Sequence, residues 1–153
     1  MFDEEIAGAS SRYVVPPEWI KAVIQVESNW DPNAVNLSDP GGGAWGLMQL
    51  LLTTARGLGY TGTAQGLLDP AMNIEYGTRL LAQLKTQYGT DFRRIYSAYN
   101  SGNPDLWQTS TEVYANVMEA MDALQLYISQ NPGVSIGIGL VVLVAILAFR
   151  RGF

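Results

Sequence analysis

The chain has 153 residues, 48% of them hydrophobic, and a net charge of −5, which bounds it to one domain around one core. It holds neither cysteine nor histidine. That excludes disulfides, thiolate metal sites, Ser-His-Asp catalysis and histidine-ligated zinc, and leaves carboxylates as the proton carriers near neutral pH. Residues 1–132 carry 14 acids against 7 bases, with no basic run, so nucleic acid is not an expected partner.

Residues 1–15 read as a loosely held N-terminal arm, with Ser10-Ser11 as turn material, and the folded domain is expected over 16–130. Pro16-Pro17 opens its first helix, because proline is tolerated in the first turn and Glu18 suits the positive end of the dipole. Trp19, Ile20, Val23, Ile24 and Val26 form an apolar stripe near helical spacing. Asp31-Pro32-Asn33 is turn chemistry, so this helix should stop near Asn29. Leu37 to Gly43, with Pro40 and consecutive glycines, predicts a loop. A second helix is expected over Leu47–Leu58, ended by Gly59, and Gly62–Gly66 reads as another loop. The third, Pro70–Tyr88, carries Ile74, Leu80, Leu81 and Leu84 and ends at Gly89. A fourth covers about Phe92–Asn100 until Ser101-Gly102-Asn103-Pro104 breaks it. The fifth, Thr111–Gln130, places Val113, Val117, Met121, Leu124 and Ile128 on one face. No strand pattern and no repeat stand out, and the fold class reads as all-α.

Asn131-Pro132-Gly133 then separates the domain from a tail of different character. Gly133 to Phe149 is a 17-residue stretch without a charge, rich in Val, Ile and Leu, closed by Arg150-Arg151. Its length is at the short limit for crossing a bilayer, and it lacks the polar face of a buried amphipathic helix. It is read as a C-terminal transmembrane helix over 133–149 followed by a short basic tail over 150–153, which makes the lipid bilayer an expected partner. The positive-inside tendency puts Arg150-Arg151 on the cytoplasmic side and the domain on the other. Met1-Phe2-Asp3-Glu4-Glu5 is acidic where a secretory leader would be basic, so no signal peptide is expected.

The chemistry concentrates in three short stretches. Glu27 lies in the last turn of an otherwise apolar helix. The negative end of the dipole and the apolar neighbours both disfavour its ionised form and raise its pKa, as a general acid for glycosidic cleavage requires. Gly46-Leu47-Met48-Gln49 ends 22 residues beyond Glu27. Its glycine permits close backbone approach, Met48 offers an adaptable apolar wall, and Gln49 can donate and accept toward acetamide or hydroxyl groups. Ala98-Tyr99-Asn100, with Gly102, follows in a helical pattern.

In this order, Glu27-Ser28, Gly46-Leu47-Met48-Gln49 and Ala98-Tyr99-Asn100 resemble the soluble lytic transglycosylases, relatives of goose-type lysozyme, from about Pro17 to Met118. The resemblance implies a lysozyme-like transglycosylase domain acting on peptidoglycan glycan strands, without metal or cofactor. It implies that Glu27 protonates the glycosidic oxygen between N-acetylmuramic acid and N-acetylglucosamine. Glu27 then serves as base for the sugar's own 6-hydroxyl, giving a 1,6-anhydro product, with the muramoyl N-acetyl group as nucleophile. One essential acid is then enough, an exception to the two-carboxylate rule. Tyr99 is expected to set its hydroxyl against Glu27 while its ring keeps the acid dry. Asn100 is expected to offer amide hydrogen bonds, and Ser28 to help the helix close. Glu112 and Tyr114 resemble a last family block lining the groove. Asp69-Pro70, Asn73-Ile74 and Gly77 resemble a structural block, with Asp69 capping the third helix.

Two departures stand out. The serine that the family often carries nine residues after the acid is Asn36 here, with Ser38 two further on in a longer loop. Leu50-Leu51-Leu52-Thr53-Thr54 lacks the usual proline. Trp30, Trp45 and Trp107 fall in or beside loops, where aromatic faces stack on sugars or simply pack. Asp31 and Asp39 are candidates for a second carboxylate, which keeps a hydrolytic muramidase open, although their positions fit turn duty better. A structural protein that only holds glycan is the other alternative, and the intact Glu27, Gln49 and Tyr99 speak against it. A trailing anchor without a leader suits a bacteriophage particle that brings the enzyme to the wall from outside, with virion proteins as further partners. A tail-anchored bacterial envelope enzyme is the plainer reading.

Overall fold

Six α-helices follow one another among the residues described by a computed structural model, 1–39 and 41–131: α1 (Asp3–Tyr13), α2 (Pro17–Ser28), α3 (Leu52–Gly57), α4 (Pro70–Tyr88), α5 (Phe92–Ser101) and α6 (Thr111–Gln130). Local chemistry sets their ends. Pro17 and Pro70 stand at first-turn positions where a missing N–H costs nothing. The Asp69 carboxylate accepts from the Met72 amide at 2.9 Å, and the Ser110 hydroxyl accepts from the Val113 amide at 3.3 Å. Asn29 closes α2 in the left-handed region at φ 49°, which asparagine tolerates better than most residues. The transmembrane helix and basic tail expected over 133–153 lie outside the described residues. Among the described residues, no helix is long and apolar enough to cross a membrane.

Four expectations are corrected. Residues 1–15 are no loose arm, because Asp3–Tyr13 is helical. Asp3, Glu4 and Glu5 sit at the positive end of its dipole. Ile6 and Ala9 are buried against the core, and Arg12 and Tyr13 both reach Glu75 on α4. Two buried apolar residues in eleven give too thin a stripe to register as periodicity. The helix expected over Leu47–Leu58 is replaced in its first half by a tight turn, with φ of 71° at Gly46 and 44° at Gln49; only Leu52–Gly57 is helical. The expected absence of strands also fails. β1 (Val35–Asn36), β2 (Ala44–Trp45) and β3 (Leu50–Leu51) form a small antiparallel sheet, Val35 opposite Trp45 and Trp45 opposite Leu50. Strands of two residues are too short to show alternation. The loop expected over Gly62–Gly66 is largely a 3-10 turn, Ala64–Leu68. The fold is mostly helical, with this sheet at one side.

Most of the core lies around α2, whose Trp19, Ile20, Val23 and Ile24 are buried. It packs on α6, with Ile74, Ile95, Tyr96, Val117 and Leu124 closing the space. A smaller apolar cluster, Trp45, Leu50, Ala55, Tyr60 and Leu67, underlies the sheet.

One side chain joins the two. Asn73, fully buried on α4, donates to the Trp45 carbonyl at 2.7 Å and the Leu67 carbonyl at 2.8 Å, and accepts from the Met48 amide at 2.7 Å. It thereby pins the Gly46–Gln49 turn to the helical core. Gly46 is required by this contact. A β-carbon there would come within 2.5 Å of both Asn73 Nδ2 and the Leu67 carbonyl oxygen, on a backbone already at positive φ.

Asn73→Ala removes the partners of three buried backbone groups. It is expected to lower stability by on the order of 3 kcal/mol, read as a drop in the urea midpoint at unchanged m-value. A change below about 1 kcal/mol would contradict the pinning role.

Candidate active site

Glu27 is the next-to-last residue of α2, and its carboxyl ends at the floor of a cleft of about 370 Å³. Gln49 and Leu51 form one wall, from the pinned turn and β3. Tyr99 and Asn100 come from the end of α5, Glu112 and Asn116 from the start of α6, and Asn36 and Asp39 from β1 and the loop after it. No lysine or arginine lines it among the described residues.

Glu27 Oε1 accepts a hydrogen bond from the Tyr96 hydroxyl at 2.8 Å. The residue is partly buried and its carboxyl is largely enclosed, and that loss of water is the main reason its pKa is pushed up to about 7. The Tyr96 bond opposes the rise by favouring the carboxylate, while the charges of Asp39 and Glu119 add to it. The group therefore still carries its proton in an appreciable fraction of molecules near neutral pH, where an exposed glutamate has lost it.

The expected supporting residues divide into those in the cleft and those beneath it. Gln49, Tyr99, Asn100 and Glu112 line it with Glu27. Gln49 Nε2 is occupied by the Ala34 carbonyl at 3.1 Å and the Gly46 carbonyl at 2.9 Å, which leaves its Oε1 to accept from a ligand. Tyr99 presents its ring to the cleft, but its hydroxyl donates to the Met48 carbonyl at 2.7 Å and not to Glu27. The expected Tyr99–Glu27 bond is thus replaced by one from Tyr96, one helical turn earlier. Met48 is fully buried and belongs to the core, so it forms no wall of the cleft. Gly46 makes room for Asn73 and faces no ligand space. Ser28 bonds back to the Ile24 carbonyl at 3.2 Å, closing α2. Tyr114 is exposed on α6 and is not part of the cleft lining.

The acids left open in the sequence also separate. Asp31 caps its own turn through the Asn33 amide at 2.9 Å. Asp39 reaches the cleft, held by Asn36 Nδ2 at 2.8 Å. Each tryptophan packs away from the cleft lining. Trp30 bonds Gln25 and meets Tyr127 edge-on, Trp45 bonds the Gly42 carbonyl, and Trp107 lies under Arg93. Tyr96, Asn36 and Asn116 were missed as site residues. Two of them left a signal: Asn36 stands where the family often has a serine, and Tyr96 precedes Tyr99 by three residues on one helix, so both tyrosines share a face.

A mostly helical domain with one enclosed carboxyl at the floor of a polar cleft is the arrangement of a lysozyme-like protein. Residues 4–121 match the family model described as the transglycosylase SLT domain, and the chain belongs to that family. The match begins inside α1, so that helix is part of the domain. Over 123 residues the chain is 36% identical to a transglycosylase of Enterobacteria phage PRD1, covering 79% of this chain and 43% of that protein. Its fold is similar to the 70 kDa soluble lytic transglycosylase of Escherichia coli, with a TM-score of 0.70 over 84% of this chain and 24% of that one, at 23% identity. It is also similar to an inactive mutant of the lytic transglycosylase Slt from Pseudomonas aeruginosa, with a TM-score of 0.68 over 83% and 24% of the two chains, again at 23% identity. The chain spans less than half of the phage relative and about a quarter of the two solved structures.

The raised pKa of Glu27 has a stability consequence of definite sign. The folded protein holds this proton up to about 7, whereas the unfolded chain releases it near the ordinary glutamate value of 4.5. The contribution is therefore fully present below 4.5 and is lost as pH rises to 7. Glu27→Gln, which cannot ionise, should gain on the wild type across that window by about 3 kcal/mol, with the difference level above it. Thermal unfolding from pH 4 to 8 checks this, and a pH-independent difference would contradict it. In an Asp39→Asn background the window should close at lower pH.

Proposed function

We propose that the chain is a peptidoglycan lytic transglycosylase, with Glu27 as its single acid-base group. The observation that carries the reading is the enclosed Glu27 carboxyl, able to hold a proton near neutral pH, in a cleft otherwise rich in hydrogen-bond acceptors. Membership of the SLT family supports the reaction class. Glu27 gives its proton to the oxygen linking N-acetylmuramic acid to N-acetylglucosamine, and the bond from that oxygen to the anomeric carbon breaks. The muramoyl acetamide oxygen bonds to the same carbon. The Glu27 carboxylate then takes the proton of the 6-hydroxyl as that oxygen bonds to the anomeric carbon and releases the acetamide. Glu27 ends protonated, the sugar ends as a 1,6-anhydro ring, and no water is consumed.

Asp39 favours a second reading, because it stands in the cleft where a second carboxylate could take a proton from water. The product would then be a reducing end, heavier than the anhydro form by one water.

Two further proposals concern place. The uncharged stretch over 133–149 followed by Arg150-Arg151 supports a membrane anchor. The phage origin of the 36% identical relative supports delivery by a phage particle to open the wall locally.

Digestion of purified peptidoglycan by the full chain in mild detergent, with mass analysis of products, tests the chemistry. The wild type should release anhydromuropeptides and Glu27→Gln should be slower by roughly 10³-fold. Purely hydrolytic products would overturn the transglycosylase reading in favour of Asp39-assisted hydrolysis. The anchor is tested by flotation with phosphatidylcholine vesicles. The full chain should float and the chain truncated after Gln130 should stay in the dense fraction, whereas equal partition would contradict an anchor.

A further inference from the structure

We infer that Tyr96 is a positioning residue that confines the catalytic proton of Glu27 to Oε2, the oxygen left free for the substrate. The inference rests on the proposed role of Glu27 as acid and adds where its proton sits.

The two carboxyl oxygens are not equivalent. Oε1 accepts from Tyr96 at 2.8 Å. Oε2 has no partner among the described residues, yet it is not one of the sealed polar atoms, so it meets the cleft that Glu27 lines. Tyr96 itself is fully buried. Its ring packs with Phe92, at 6.1 Å and 26°, and with Tyr99, at 6.3 Å and 10°, which holds the ring in place. Glu27 Oε1 is its hydrogen-bond partner, and no other is present among the described residues.

This settles the direction of the bond when Glu27 is protonated. Were the carboxyl to donate its proton from Oε1 to the tyrosine oxygen, the phenolic hydrogen would be left without an acceptor in a sealed site. A buried unsatisfied donor is costly. With Tyr96 donating to Oε1, its hydrogen is satisfied and the acid's own proton resides on Oε2. Burial and the neighbouring Glu27 hold the Tyr96 phenol far above its ordinary value, so it remains a donor in both states of the carboxyl. After proton transfer, the same bond stabilises the carboxylate. Tyr99, the tyrosine of the family motif, cannot serve this purpose because its hydroxyl is committed to the Met48 carbonyl.

The other groups facing Glu27 act differently. Asp39 from the loop after β1 and Glu119 from α6 bring negative charge. Glu112 and Gln49 line the cleft and make no hydrogen bond to the carboxyl. Tyr96 is the donor that lowers the Glu27 pKa against the rise caused by burial and by those charges.

The test uses the full chain carrying Tyr96→Phe, with carbon-13 label in the glutamate carboxyls and the Glu27 signal assigned by its loss in Glu27→Gln. The titration midpoint of Glu27 should move up by about one pH unit. On peptidoglycan, the alkaline limb of the rate profile should move up by the same amount. At the optimum, kcat should fall roughly tenfold with KM little changed, because the proton is no longer confined to the productive oxygen. An unchanged midpoint, or a loss confined to KM, overturns the inference. Should Tyr96→Phe not fold, 3-fluorotyrosine at the same position strengthens the donor and should move the midpoint down, and a midpoint that stays or rises counts against the inference. If the wild type releases no muropeptides, the proposed function fails, while the carboxyl titration still decides the role of Tyr96.

Discussion

A carboxyl drawn most of the way out of water, with one oxygen bonded in the interior and the other open to a cleft, is the constraint around which this domain is arranged. Such a group gains nothing for stability, because its ionised form is penalised wherever burial is not answered by a cation. No lysine or arginine lines the cleft among the described residues. The surroundings add negative charge from Asp39 and Glu119. An uncompensated acid persists only if the rest of the fold can bear it, and the apolar body of α2, buried between α1, α4 and α6, supplies that reserve.

The same economy explains the division of labour around the site. Residues of the short motifs do not all touch ligand space. Gly46, Met48 and Asn73 form a buried hydrogen-bonded joint that fixes where Gln49 and the Tyr99 hydroxyl stand. Gln49 and Tyr99 then spend their donors on backbone carbonyls and keep only acceptors, rings and edges for the cleft. An acceptor-rich cleft suits a ligand covered in hydroxyl and amide N–H donors, which is the surface that a glycan of N-acetylated sugars presents. Precise placement of few groups by a rigid second layer is how such a site holds geometry on short loops.

The helices α2, α4, α5 and α6 were legible because several signals coincided at each end: proline or a capping side chain at the start, glycine or asparagine at the finish, an apolar stripe between. The Pro70–Tyr88 and Thr111–Gln130 boundaries agree with the structure for this reason. Where one signal was alone, reading failed. The α1 helix has charges and small residues but almost no stripe, and its stability comes from Ile6, Ala9 and the contacts to Glu75. The run from Leu47 to Leu58 has helical composition throughout, yet Gly46 and Gln49 adopt positive φ because Asn73, far along the chain, holds the turn. Tertiary contacts override propensity in this way, and local sequence does not carry them. The acid was readable from its motif and apolar neighbours. Its partner was not, because Tyr96 reaches Glu27 across 69 positions of chain, and the choice between Tyr96 and Tyr99 depends on how α5 is rotated over α2.

Enclosure, with the charges of Asp39 and Glu119 adding to it, keeps Glu27 protonated near neutral pH, and the most direct test is its own titration in the unmodified protein. Carbon-13 spectra of the labelled carboxyls, recorded from pH 3 to 9 without substrate, should show the Glu27 midpoint close to 7, well separated from the other glutamates. A midpoint near 4.5, where an unperturbed glutamate titrates, would mean that water reaches the carboxyl freely. The single-acid account of this site would then be wrong.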